Sequence, residues 1–84
     1  MENERMEEYR NKIRLSADVI LSVAQTPYTY GGPQGLYEIA LLSNDGDFVT
    51  HEYFPDIEDD VIGYLELSDV DDIIEELLRE MSPL

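Results

Sequence analysis

Residues 3–24, NERMEEYRNKIRLSADVILSVA, decide how many helices the chain has and what the rest of it packs against. Met6, Tyr9, Ile13, Ile20 and Ala24 recur at spacings of three, four and seven, with Ser16 and Ala17 filling the gap. That is the period of an amphipathic helix. The spacing predicts one helix over about Asn3 to Ala24, buried more deeply in its second half, ADVILSVA. Ser16 ahead of Ala17-Asp18-Val19 is a candidate cap that would divide the segment into two helices, and a single helix is the preferred reading. Glu8 and Lys12 would then form a favourable pair one turn apart.

Downstream, Gln25 to Gly35, QTPYTYGGPQG, ends this element, because Pro27 and Pro33 cannot continue a helix. With no lysine or serine in a Walker-type position, the loop is a poor phosphate cradle. It serves as a helix-to-sheet connection, and its functional alternative is to present Tyr28 and Tyr30 to a partner, tyrosine being a favoured interface anchor. Leu36 to Ser43, LYEIALLS, reads as a central strand and Phe48 to Phe54, FVTHEYF, as its hairpin partner across Asn44-Asp45-Gly46-Asp47. Asp-Gly tolerates the positive φ such a turn demands. In this reading His51 shares a half-buried strand face with Val49 and Tyr53. Val61 to Leu67 is a third strand, weakened or bulged at Gly63. The last element is the clearest: Ser68 as N-cap, then Val70, Ile73, Ile74, Leu77, Leu78 and Met81 on one face, stopped at Ser82-Pro83.

The expected architecture is therefore α+β, a single domain over residues 1–84, ordered α-β-β-β-α with a three-stranded antiparallel sheet and both helices packed on one face. Eighty-four residues suffice for one core. Without cysteine there is no disulfide and no thiolate site, which favours a reducing compartment, so a cytoplasmic location is expected. The opening MENERMEEYRNK lacks the apolar segment of a signal peptide, and no apolar run approaches the length of a membrane span.

Charge is the informative property. The net charge is −15, and it is unevenly placed: residues 1–25 carry five acids against four bases, whereas residues 26–84 carry fifteen acids against Arg79 alone. The stretch 55–80, PDIEDDVIGYLELSDVDDIIEELLRE, holds eleven of the carboxylates. Nucleic acid and anionic membranes are disfavoured as direct partners, and a basic protein surface is favoured. Part of the acidity has a local explanation, since Asp69, Asp71 and Asp72 lie in the first turns of the last helix, where its dipole favours anions. Glu75 can pair with Arg79. The remainder has no such explanation: Asp72, Glu76 and Glu80 form a ridge of like charges about 6 Å apart in axial rise, and Asp56, Glu58, Asp59 and Asp60 crowd into five residues. A row of fixed anions has the form of a phosphate backbone as a basic groove meets it.

In the order of its elements, its size and its acidity, the chain resembles the phage-encoded DNA-mimic inhibitors, which include anti-CRISPR proteins and inhibitors of uracil-DNA glycosylase. DIEDD at 56–60 and SDVDDIIEELLRE at 68–80 carry the resemblance. It implies a non-enzymatic inhibitor, acting in a host cytosol, whose target is a basic nucleic-acid-binding enzyme. The alternative from another class is an immunity- or antitoxin-like, or regulatory, protein-binding module that binds through its tyrosine loop and sheet edge, with charge serving only to steer.

Catalysis finds little support. One histidine and no cysteine exclude a Cys-His pair or a multi-histidine metal site within the chain, and twenty acids make any chosen carboxylate pair unspecific. No cofactor is expected. Calcium is the more serious rival, yet 56–67 departs from the EF-hand loop: Glu58 stands third, Val61 replaces the sixth-position glycine and Leu67 the twelfth-position glutamate.

Overall fold

Val19, Leu21 and Val23 stand two residues apart, and this alternation, not the helical spacing, governs the first third of the chain. The structure, a computed structural model, describes residues 8–81. In it Tyr9–Arg14 (β1) and Val19–Gln25 (β2) form an antiparallel hairpin, with Ile13 opposite Leu21 and Asn11 opposite Val23. The helix expected over 3–24 is therefore absent across 8–24, and its first residues, 3–7, lie outside the described residues. A physical reason is visible in β2: Val19, Ile20 and Val23 are β-branched and suit a pleated surface. Their neighbours Leu21 and Ala24 complete a strand paired with β1 on one edge and with residues 38–43 on the other.

Ser16 caps no helix; it builds the turn of the hairpin. The Asp18 N–H donates to Ser16 Oγ at 3.2 Å and the Leu15 N–H to the Val19 carbonyl at 2.9 Å. The Arg14 guanidinium donates to the carbonyls of Ser16 and Ala17 and to Asn44 Oδ1, at 3.0–3.2 Å. Asn44 Nδ2 in turn donates to the Ala17 carbonyl at 2.8 Å. Two turns at one end of the sheet thus hold each other.

Tyr37–Ser43 (β3) pairs with β2, and Ile62–Leu65 (β4) pairs with β3, so the sheet is four-stranded and runs in chain order, β1-β2-β3-β4. The expected three-stranded α-β-β-β-α layout is overturned by this sheet, which is accompanied among the described residues by one long helix, Leu67–Met81, one α-helical turn, Thr50–Tyr53 (α1), and a 3-10 turn at Gly32–Gln34. With the long helix named α2, the strands alternate their side chains between two faces. Val19, Leu21, Val23, Ile39 and Leu41 join Leu15 and, from α2, Val70 and Leu77 in one core, with Leu21, Ile39 and Leu41 fully buried.

The strand expected over 48–54 also gives way, although its turn is made. Gly46 takes φ 90°, the Ser43 N–H donates to the Asp47 carbonyl at 2.8 Å, and Phe48 bridges to Leu42. After the Val49 N–H has bonded to the Leu41 carbonyl at 2.8 Å, the chain curls into α1. The cause is Thr50, which is completely buried. Its hydroxyl accepts the Leu41 N–H at 2.9 Å and donates to the Asp60 carbonyl at 2.6 Å. A side chain thereby occupies the place on the β3 edge that the next strand residue would take, and the edge beyond it is left to β4. His51 consequently sits exposed on α1, where strand alternation had put it on a half-buried face.

β4 is shorter than the Val61 to Leu67 expected, and it carries the irregularity foreseen at Gly63: Tyr37 faces Leu65 and Ile39 faces Ile62, so three steps on β4 match two on β3. Helix α2 begins one residue before Ser68, which is not its cap. The Glu66 carbonyl accepts the Asp69 and Val70 N–H groups, and the Asp69 carboxylate accepts the Glu66 N–H at 3.0 Å. A carboxylate on the third residue thus holds the helix start, as in the returning half of a capping box. Among the described residues no helix is long and apolar enough to cross a membrane.

Thr50→Val keeps the shape of this side chain but leaves the Leu41 N–H and the Asp60 carbonyl without a partner. It is expected to lower stability by about 1–3 kcal/mol, read as a lower urea midpoint at unchanged slope. Thr50→Ser, which retains the hydroxyl, recovers most of the loss.

Candidate acidic and aromatic interface

All nine residues singled out in the sequence, Asp56, Glu58, Asp59, Asp60, Asp72, Glu76, Glu80, Tyr28 and Tyr30, are exposed. Their positions come from three pieces of scaffold. The first is α2, whose buried Val70 and Leu77 and half-buried Ile73, Ile74 and Met81 fix its rotation on the sheet. Glu76 and Glu80 line a cleft with Ile73 and Leu77, and its opposite wall is Tyr53 and Phe54 at the end of α1. Pro55 and the acidic loop follow Phe54 directly, so the ridge and the loop border the same two aromatic residues.

The second piece is that loop, 56–60. At its end the Asp60 backbone is tied to Thr50, and its carboxylate lies 3.6 Å from His51 Nε2. Ile57 turns inward, half-buried, with its N–H directed at the Phe54 carbonyl at 3.4 Å. The carboxylates are thus carried on backbone anchored to the β3 edge.

The third is the tyrosine loop. Thr26 is fully buried, its hydroxyl accepts the Tyr28 N–H at 3.0 Å, and Thr29 Oγ1 accepts the Thr26 N–H and donates to the Thr26 carbonyl at 3.0 and 3.1 Å. A Cβ at Gly32 would lie 1.9 Å from the Thr26 carbonyl oxygen, so the coil closes only on glycine. Tyr28 is 88% exposed, and among the described residues its ring stacks on no other. Tyr30 is different. Its N–H donates to Glu38 Oε2 at 3.1 Å, its carbonyl accepts the Tyr64 N–H at 3.2 Å, and its ring lies 6.5 Å from that of Tyr64 at an interplanar angle of 24°. These two rings line a shallow cleft with Asp59, Val61 and Gly63.

Sequence reasoning missed Tyr64. It sits in the β4 bulge at φ 58°, a left-handed conformation in which a bulky side chain costs about 1–3 kcal/mol. The available signal was Gly63: a Cβ there would stand 2.3 Å from Tyr30 Cβ, so the glycine marks where the tyrosine loop closes on the bulge.

The structure also sorts the cations. β1 places Arg10, Lys12 and Arg14 opposite Ala24, Ser22 and Ile20, on the sheet face that α2 does not cover. Among the described residues these three cations therefore share one face, with Glu8 beside Arg10 and Glu38 in the row of Ala24. Among the described residues Arg10 pairs with Glu8 at 3.7 Å, and the His51 imidazole lies within 3.6 Å of the Asp60 carboxylate. Neither the Glu8–Lys12 nor the Glu75–Arg79 pair expected from helical spacing is formed among these residues. Among the described residues no group of three or more acids or histidines is arranged to hold a metal ion.

Comparison of the chain with protein-family models, with curated proteins and with solved structures finds no match to any of them. Its functional reading therefore rests on the residues themselves.

Gly63→Ala would drive a methyl group into Tyr30. We expect it to lower the urea midpoint by about 1–3 kcal/mol in equivalent stability, the usual cost of overpacking, and to remove the nuclear Overhauser contacts between the Tyr30 and Tyr64 rings.

Proposed function

We propose that the protein is a non-enzymatic inhibitor that occupies the nucleic-acid-binding surface of a basic protein, presenting loop 56–60 and the α2 ridge of Asp72, Glu76 and Glu80 in place of phosphates. One observation carries the reading: these acids are exposed on backbone that is itself packed or hydrogen-bonded, the ridge on a helix anchored by Val70 and Leu77 and the loop through the buried Thr50. A backbone held in this way needs no ordering on association, so the attraction of its carboxylates to a basic groove is not spent on backbone entropy. The mutual repulsion of the ridge, a few tenths of a kcal/mol for each neighbouring pair, is relieved when cations face it.

A second reading is favoured by a separate observation, the exposure of Tyr28 together with the Tyr30–Tyr64 pair. It has the protein bind as an immunity- or antitoxin-like module through the aromatic end of the sheet, with the charge acting on association rate alone.

The two are told apart by a partner recovered on the immobilised protein from a host lysate. Under the first, binding weakens at least about tenfold between 50 and 500 mM salt, duplex DNA competes with it, and the combined Asp59→Lys, Asp60→Lys, Glu76→Lys and Glu80→Lys variant does not bind. Under the second, the same variant associates more slowly but dissociates at the wild-type rate, and DNA does not compete. Recovery of acidic or neutral partners alone, at a yield indifferent to salt, rejects the inhibitor reading.

A further inference from the structure

Tyr64 is an anomaly on backbone grounds. Its φ of 58° lies where glycine is at ease and a tyrosine is strained, and a glycine is its immediate neighbour, at 63. The position also lies in a bulge, a device that re-aims a side chain out of the strand's alternation. Here it sets the Tyr64 ring near-parallel to that of Tyr30, both at least half exposed, with Asp59 on the rim of the same cleft. The Tyr30 side of the pair is fixed as firmly, through Glu38 below it and through the close approach of Gly31, where a Cβ would lie 2.9 Å from Tyr64 Cα. Strain of this kind persists only where the surroundings over-determine it, and it clusters at binding and switch sites; here the strained residue is also 61% exposed.

We infer that the Tyr30–Tyr64 cleft, with Asp59, is a seat for an arginine side chain of the basic partner. The inference rests on the charge-based reading above and names the contact that would give it specificity. A guanidinium is planar and weakly hydrated: it stacks on aromatic faces while its N–H fork reaches a carboxylate, and a chain of net charge −15 brings such groups near. Lysine carries the same charge with no plane to stack. The seat therefore discriminates arginine from lysine, which the acid ridge by itself does not.

The test uses acetylated, amidated hexa-arginine and hexa-lysine as probes, titrated calorimetrically at low salt against the full chain and its variants. Tyr64→Gly suits the φ at this position, so its urea midpoint should equal or exceed that of the parent, which separates lost binding from lost fold. We expect it to weaken hexa-arginine binding by about three- to tenfold and to leave hexa-lysine within about twofold. Tyr64→Phe, which keeps the aromatic face, should bind both peptides as the parent does. The Tyr30 and Tyr64 ring protons should shift on adding hexa-arginine and stay in place with hexa-lysine. Equal losses for both peptides, no loss for either, a loss with Tyr64→Phe, or silent ring resonances would each overturn the arginine seat. The underlying reading is tested separately by Glu76→Lys with Glu80→Lys: a loss for both peptides supports it whatever Tyr64 does, and no loss for either removes it.

Discussion

The Thr50 hydroxyl is the smallest group in the molecule on which the largest share of its organisation depends. By accepting from the Leu41 N–H it ends the excursion that begins at the Asn44–Asp47 turn, and by donating to the Asp60 carbonyl it brings the chain back ten residues later beside the same strand. Between those bonds lie α1 and the acidic loop. Beyond them the β3 edge is free to take β4, and β4 delivers α2 to the core. The hydroxyl is fully buried, where an unmade hydrogen bond is expensive and a made one is electrostatically strong. Sheet order, loop anchorage and helix placement thus share one side chain.

What the sequence displays openly is whatever a single period or a single residue determines. The α2 face, the β3 core and the Gly46 turn belong to that class, as does the irregularity at Gly63, where no side chain fits against Tyr30. The hairpin of β1 and β2 does not, because its residues satisfy two periods at once. Ile13 and Ile20 are seven apart and would share a helix face, yet in the hairpin they lie on opposite faces, Ile13 beside Leu21 and Ile20 beside Arg14. The connecting Leu15-Ser16-Ala17-Asp18 has neither glycine nor proline to announce a turn and is closed instead by Ser16, Arg14 and the distant Asn44. A side chain thirty positions away cannot be seen in a local window. The same limit explains the misread strand after Phe48, whose alternation is genuine but is overridden by one buried threonine.

The candidate interface divides along the same line. The acids were legible because charge needs no context to be counted, and Tyr28 and Tyr30 because a Gly/Pro-rich loop exposes what it carries. Tyr64 was not, since inside a strand its direction depends on a bulge that only the pairing of Tyr37 with Leu65 and Ile39 with Ile62 reveals. Asp59 gains its meaning from the same pairing: the turn into β4 brings one member of a charge run beside Tyr64, five residues on, and Tyr30, from a loop far from it in sequence.

Among the described residues Arg10, Lys12 and Arg14 gather on the uncovered sheet face, where Glu8 and Glu38 offset them only in part, so that face is less acidic than the helix side. A uniformly acidic body would be drawn to a positive field in any attitude and would have to roll after landing. With charge so distributed, this one would experience a torque before it touched, turning its helix toward such a field and its hairpin away. Alignment would then be settled during diffusion, and a larger fraction of collisions would begin with the helix acids already in front.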